Sequence, residues 1–518
     1  MNDLQKLIGD WSSKKTISGK SFDDLFQIEG IPLWWFYKRF FVQNVLPGPI
    51  NTFSLIEKKQ PVNSAQRIKF TVNSFFMKNY SYFLENRKIY YSHRKKLSRA
   101  DLDKEKVLFL SYSNHQAKDG SVFRLQNFIQ KINLDKKLKE LLIIADPLSS
   151  SNYKNISHHN AIYSYYDPDI SSKAWKIARS ISKRWNSLPE KTKSIMLEGK
   201  NISLWPYLRY AFKVFFSKKF LYVTSLHYQL FKKIIAEQHA RAIVLTSNNS
   251  LSDKCAMAAA KSANIPVFII QHGIGGFIGN PDPIGKTTFF VFNQLYKKRL
   301  LAHGVKEKDI KIVGPIVFDD IYRFKKAAAP RDTIKTKIFF ATSPLIEGSL
   351  LTKKKYFRYI AKILIDLQKI KDVSIIVKLH PQEKTLREYR NLVKKKKYTN
   401  VTVTQNHDRN LYYRLLSEGD VFIHFNSSAS LEALMLDKPV IDIGLPEQKK
   451  GNHFTRGTGA TTEISLDDPI DETVLKSLQK DAKMKQQAQQ AKKLIQHFCG
   501  KVDGKAFERA AREVYKII

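Results

Sequence analysis

Short apolar runs that end in small polar residues recur along this chain at helix-length intervals, and they fall into two sets. The first set opens with KVLFLSYS (Lys106 to Ser113) and LLIIADP (Leu141 to Pro147). It continues with RAIVLTS (Arg241 to Ser247), IPVFIIQHG (Ile265 to Gly273), TTFFVFN (Thr287 to Asn293) and KIVGP (Lys311 to Pro315). A strand that is apolar at every position is buried on both faces, as in a parallel sheet covered by helices on each side. Between two of these runs lies DKCAMAAAKSAN, with the length and composition of a crossover helix. The second set repeats the plan with KIFFATS (Lys337 to Ser343), VSIIVKLHP (Val373 to Pro381), VTVTQ (Val401 to Gln405), DVFIHFN (Asp420 to Asn426) and PVIDIG (Pro439 to Gly444). Helices are expected between them at 352–370, 384–397, 409–418 and 428–437. The charged stretch from Arg323 to Thr336, broken by Pro330, reads as a linker. The pattern therefore predicts an α/β chain with two Rossmann-like, doubly wound domains facing a cleft. Their expected bounds are 106–325 and 326–518, after a mainly helical N-terminal extension at 1–105. Helices from about Asp471 onward are expected to pack back across the first domain.

The stretch QHGIGGFIGNPDPIGKTTFFVFN (Gln271 to Asn293) invites a P-loop reading, because Gly285, Lys286 and Thr287 follow other glycines. The spacing excludes it. A phosphate-wrapping loop needs a glycine five residues before Gly285, where this chain has Asn280, and a helix rather than a β-branched, aromatic strand after the lysine. What remains is that Gln271, His272 and Gly273 follow a buried strand directly, at the carboxyl end where open α/β sheets keep their ligands.

Lys and Arg number 88 against 47 Asp and Glu, a surplus of 41 positive charges that favours anionic partners. No known nucleic-acid module accompanies that charge, and no nucleic-acid partner is expected. The two cysteines, Cys255 and Cys499, are far apart and in no metal-ligand spacing, so neither a disulfide framework nor a metal site is expected. No apolar run reaches the length of a membrane span and the first thirty residues lack the plan of a signal peptide, so a cytoplasmic protein is expected. Two aromatic-basic stretches, Gly30 to Ile50 and Arg67 to Leu84, fit either helices packed on the next domain or helices on an anionic membrane surface. In the second case Trp34 and Trp35 would sit at headgroup depth beside Lys38 and Arg39, and the protein would be peripheral on the inner face of the membrane.

Candidate chemistry gathers at the ends of the second-domain strands. IIVKLHP delivers Lys378 and His380 to the rim, and Pro381 stops the ladder. After DVFIHFN, Ser427 and Ser428 open a helix whose N–H groups and hydroxyls suit phosphate. Glu432 follows four residues later on the same face, placed to accept hydrogen bonds from a ribose. The alternative is a serine cap followed by an ordinary first-turn acid. His115, His303, His407 and His424 have no supporting context and read as structural.

The set QHG, KLHP and NSSASLEALMLDKPVI, in this order, resembles GT-B transferases of cell-surface polymer synthesis. These include CDP-glycerol glycerophosphotransferases, capsule polysaccharide transferases and the transferases that use CMP-activated acidic sugars. The resemblance covers residues 240 to 445. It implies a metal-independent glycosyltransferase without cofactor, taking a nucleotide-sugar donor and a glycan or lipid-linked acceptor. It further implies phosphate contacts from His380 and the serine pair, to which Lys378 is added, and a catalytic role for His272, with Gln271 and Gly273 in the acceptor-side loop. Asp119, in the loop after the first strand, is the second candidate base. The chain departs from the glycerophosphotransferases in having His424, Phe425 and Asn426 before the serines. SLEALMLDKPVI is shared with UDP-sugar 2-epimerases of the same fold, so a UDP-sugar 2-epimerase is the alternative reading. A non-catalytic nucleotide-binding protein is the third.

Overall fold

The computed structural model describes residues 11–13, 19–42, 63–92, 105–112, 139–144, 159–196, 198–199, 202–203, 205–274, 281–327, 335–347, 350–380, 383–405, 409–425, 427–447, 453–479 and 481–518, together with Leu125, Phe128, Ile129, Lys131 and Ile132. Asp119, Pro381 and Asn426 lie outside them.

Seven parallel strands form the first sheet: β1 (Lys106–Ser111), β2 (Lys139–Ile144), β3 (His159–Ala161), β4 (Ala240–Leu245), β5 (Val267–Ile270), β6 (Thr287–Val291) and β7 (Ile310–Ile312). Their spatial order is β7-β6-β5-β4-β1-β2-β3, with every neighbouring pair parallel. The second sheet holds β8 (Thr336–Ala341), β9 (Val373–Lys378), β10 (Val401–Thr404), β11 (Val421–His424), β12 (Val440–Gly444) and β13 (Thr462–Ser465) in the order β10-β9-β8-β11-β12-β13. Both orders reverse beside the first strand of the sheet, which is the doubly wound plan with its ligand crevice at the reversal. The molecule thus has the expected α/β, GT-B-like architecture.

The apolar runs became strands because their side chains fill both faces. Leu108, Leu110, Ile243 and Ile269 face one helical layer, while Val107, Phe109, Val244 and Phe268 face the other. Gly285 turns with a φ of +61° and the chain enters β6 two residues later, so Lys286 precedes a strand and donates to the Asn264 carbonyl at 3.1 Å. No helix is there to receive phosphate.

Helix Ala482–Cys499 packs on the second domain, and helix Ala506–Ile517 crosses to the first. There Ala506, Ala510, Ala511 and Val514 bury themselves against Phe109, Phe268 and Phe290. Asp319 accepts the Phe507 N–H at 2.8 Å, and Arg509 donates to the Val313 carbonyl at 2.6 Å. Gly314 takes a φ of +91°, a conformation that disfavours any side chain, and a Cβ there would also come within 3.2 Å of the Ala506 Cβ.

In the N-terminal extension the first aromatic-basic stretch takes the first of its two expected settings, packed on the next domain. Trp34 is 2% exposed and stacks on Phe212 within a cluster that also holds Trp11, Phe22 and Trp185. Trp35 is half-buried under the Lys254 ammonium, 4.3 Å from its ring centre. Trp34 is core and Trp35 packs against that core, neither at headgroup depth, because helices Pro168–Ser187 and Trp205–Phe215 supply apolar partners that a membrane would have supplied. Among the described residues no helix is long and apolar enough to cross a membrane.

Candidate functional site

The strand register sets one row of residues across the carboxyl edge of the second sheet. Ala341, the last residue of β8, pairs with Lys378 of β9 on one side and His424 of β11 on the other. Lys378 also pairs with Thr404, and His424 with Asp442 of β12. Residues after this row, Thr342, Ser343, His380 and Ser427, enter the crevice at the reversal of strand order. Ser343 closes the gap there by donating to the Phe425 carbonyl at 2.7 Å.

Around Lys378 the arrangement is electrostatically tense. Burial pulls its ammonium from the usual 10.5 down to about 8, although the carboxylates of Glu383 and Glu432 work the other way. The ammonium donates to the Leu379 carbonyl at 2.8 Å. His380 is half-buried, and burial first and Lys378 second hold its imidazole below the ordinary histidine range, hence neutral at pH 7. Its backbone N–H donates to Glu383 at 3.0 Å. Glu383 is 3% exposed and also receives the hydroxyls of Thr342 and Tyr356. Burial raises its pKa in spite of those bonds. This carboxylate fixes the turn that carries His380, and nothing in the sequence marks it beyond an acid three residues after the histidine.

Ser427 and Ser428 stand where the sequence places them, at the start of helix Ala429–Met435. Ser428 occupies the cap position in helical conformation, is exposed, and makes no side-chain capping bond. Ser427 accepts the Ala429 N–H at 3.4 Å. Glu432 accepts hydrogen bonds from Tyr412 at 2.8 Å and Tyr413 at 2.9 Å, both from helix Arg409–Glu418. The two phenols orient it, and its charge reaches Lys378.

His424, expected to be structural, has a specific structural task. Its Nδ1 accepts the Ser427 N–H at 3.1 Å and so shapes the serine loop from below. His424, Asp442 and His453 are also the grouping among the described residues whose donor atoms lie close enough to share a metal, within 4.8 Å of one another. They do not suit one. With Nδ1 of His424 accepting a hydrogen bond, the imidazole proton sits on Nε2, and burial takes the pKa of this ring down to about 3. Asp442 spends both oxygens on Arg456, 3.0 Å from Nε and 3.0 Å from Nη2. Burial works to raise the Asp442 pKa, but Arg456 and the two imidazoles outweigh it and leave it low. The cluster is a buried support for the serine loop in which Arg456 pairs the Asp442 charge, while Nε2 of His424 and of His453 is buried without a hydrogen-bond partner among the described residues. Its sequence signal is an acid inside the apolar run PVIDIG, which demands a partner.

On the first domain, Gln271 is fully buried and acts as a clamp: its amide nitrogen donates to the Gly273 carbonyl at 2.9 Å and its oxygen accepts the Phe292 N–H at 3.0 Å. Gln271 and Gly273 are therefore parts of the loop's scaffold. His272 sits half-buried on this braced turn. Two residues on, Ile274 packs against the second-domain cluster that holds Leu431, Leu434 and Cys499, and Tyr296 donates to its carbonyl at 2.7 Å. The loop therefore borders the interdomain cleft. Asp119 lies outside the described residues.

With this geometry in place, comparison with known proteins corrects the chemistry. Residues 285–511 match the model of the UDP-N-acetylglucosamine 2-epimerase family. No curated protein matches the chain. The UDP-GlcNAc 2-epimerase of Neisseria meningitidis, solved with UDP-GlcNAc bound, aligns at 13% identity with a TM-score of 0.48, covering 79% of this chain and 100% of that one. The UDP-GlcNAc 2-epimerase of Methanocaldococcus jannaschii gives 13% and 0.46 over 80% and 99%. MurG of Acinetobacter baumannii gives 13% and 0.42 over 80% and 99%. The family match takes in β6 to β13 and every second-domain residue of the candidate site. It overturns the glycosyltransferase expected from the sequence, together with its CDP-glycerol and capsule variants, in favour of the epimerase that was the alternative reading. The motif SLEALMLDKPVI, common to both groups, is why the sequence pointed to either.

Proposed function

We propose that the chain is a nucleotide-sugar epimerase that inverts the carbon next to the anomeric centre of a UDP-linked 2-acetamido sugar. The observation that carries this reading is the family match across residues 285–511. Inverting a C–H centre needs one group to take a proton and another to return it on the opposite face. A ring C–H with no neighbouring carbonyl is a poor acid, so its loss is coupled to departure of the nucleotide from the anomeric carbon, and the same nucleotide oxygen re-forms that bond as a proton returns to the opposite face of the neighbouring carbon. The second domain is suited to hold that departing diphosphate: Lys378 supplies a charge whose field is little damped by water, and Ser427, Ser428 and neutral His380 supply donors. Glu432, oriented by Tyr412 and Tyr413, is assigned the ribose hydroxyls. His272, on its braced turn at the cleft, is assigned proton transfer. Such a reaction needs no acceptor glycan.

The test is incubation of the purified protein with UDP-GlcNAc in deuterium oxide, followed by proton NMR. The reading predicts a second, epimeric sugar signal and deuterium at the inverted carbon of both sugars. A protein that binds UDP yet gives neither epimer nor deuterium over many hours is a nucleotide binder and not this enzyme.

A further inference from the structure

Helix Ser64–Ser92 carries a feature that catalysis does not use. Twelve large hydrophobic side chains stand out on the described surface, and five of them, Ile68, Val72, Phe75, Phe83 and Tyr90, belong to this one helix. Phe75 is 59% exposed and Phe83 58%, values at odds with their apolar character unless something covers them. At about 100° per residue the five fall within an arc of about 80°, so they form a stripe and not a scatter. Arg67 and Arg87, both exposed, lie about 80° and 40° beyond its two edges.

The helix is held at Tyr82, about 20° outside the arc, and at Asn79, inside it between Phe75 and Phe83, so the exposed apolar side chains stand on either side of that contact. Tyr82 packs edge-on to Trp175 and Tyr222, and Lys219 donates to Asn79 at 2.6 Å. Glu85, the helix's one acid, is turned into the protein, where it meets Tyr163, His227 and Lys88. The helix sequence has five basic residues, and its acid is thus withdrawn from the surface. We propose that this stripe lies on an anionic lipid surface, with the apolar side chains among the acyl chain ends and the arginines at the phosphate level.

Charge complementarity chooses this occupant. A second copy of the chain would bring another basic helix to the same stripe and add to a net charge of +41 on each side, whereas an anionic bilayer neutralises it. Of the two aromatic-basic stretches named from sequence, this surface belongs to the second alone, because in the first Trp34 is in the core and Trp35 packs half-buried against it. It is independent of the epimerase reading, since none of these residues lines the candidate site.

Co-sedimentation of the full chain with phosphatidylcholine vesicles, with and without about 30% phosphatidylglycerol, tests it. Binding is expected to the anionic vesicles and to fall steeply between about 0.1 M and 0.5 M salt. Phe75→Asp with Phe83→Asp should lower the partition coefficient at least ~10-fold, from lost apolar burial, at an unchanged melting temperature. Arg67→Glu with Arg87→Glu should lower it on anionic vesicles only. If both double variants bind like the parent, the stripe is not the contact. If light scattering shows a parent dimer that the phenylalanine variant converts to monomer, and vesicles bind neither, the occupant is a second copy and the lipid proposal is overturned.

Discussion

Lys378→Met separates a phosphate ligand from a structural lysine, because the structure predicts opposite signs for its two readouts. The ammonium is held at about 8 instead of 10.5, which amounts to about 3 kcal/mol against the charged form. The sign follows from proton binding. Between about pH 8 and 10.5 the unfolded chain binds this proton and the folded one does not, so the fold is penalised below pH 8 and relieved as pH rises through that window. Methionine carries no such penalty, so the variant's melting temperature at pH 7 should equal or exceed the parent's. UDP affinity should move the other way. A charge-assisted hydrogen bond contributes about 1.5–3 kcal/mol, so its loss weakens binding by about 10- to 150-fold. In the parent, affinity should also decline as pH rises through about 8, as the ammonium deprotonates, and the methionine variant should lack that step. Calorimetric titration of UDP from pH 6.5 to 9.5, with melting curves alongside, reads all three. An unchanged affinity and pH profile in the variant, with a lowered melting temperature, would refute the assignment.

His272→Asn should slow deuterium incorporation into UDP-GlcNAc by about two to four powers of ten with UDP affinity preserved, as measured by NMR and calorimetry, since Gln271 braces its turn. Trp34→Ala should cost about 3–5 kcal/mol in urea denaturation, as a buried aromatic, and leave vesicle binding of the folded fraction intact.

Burial on both faces made the central strands readable, because it leaves an unbroken apolar run. The same logic hid His159–Ala161 and Thr462–Ser465, which lie at sheet edges, are three and four residues long, and in the latter alternate half-buried with exposed positions. The places of Lys378, His380 and Ser427 were legible because a parallel strand's end has one location in a doubly wound sheet. Their supports were not. Glu383 works through Thr342, about forty residues away, and Asp442 through Arg456 beyond its strand, contacts that only the folded chain creates. The setting of Trp34 stayed open between two readings for a related reason: an aromatic helix looks the same whether Phe212 or a lipid covers it.

The helix Ala506–Ile517 has a consequence for how the protein is made. The first domain's strands leave the ribosome early, yet part of one face of their sheet, including Phe109, Phe268 and Phe290, is closed by residues translated almost 200 positions after β7. At ~5–20 residues per second that interval is about 10–40 s, during which the nascent domain presents bare apolar surface. Chaperones have that long to engage it, and a message cut short before residue 506 yields a first domain that cannot finish its core. Chains that stop before this helix therefore carry an apolar face by which quality control can recognise them.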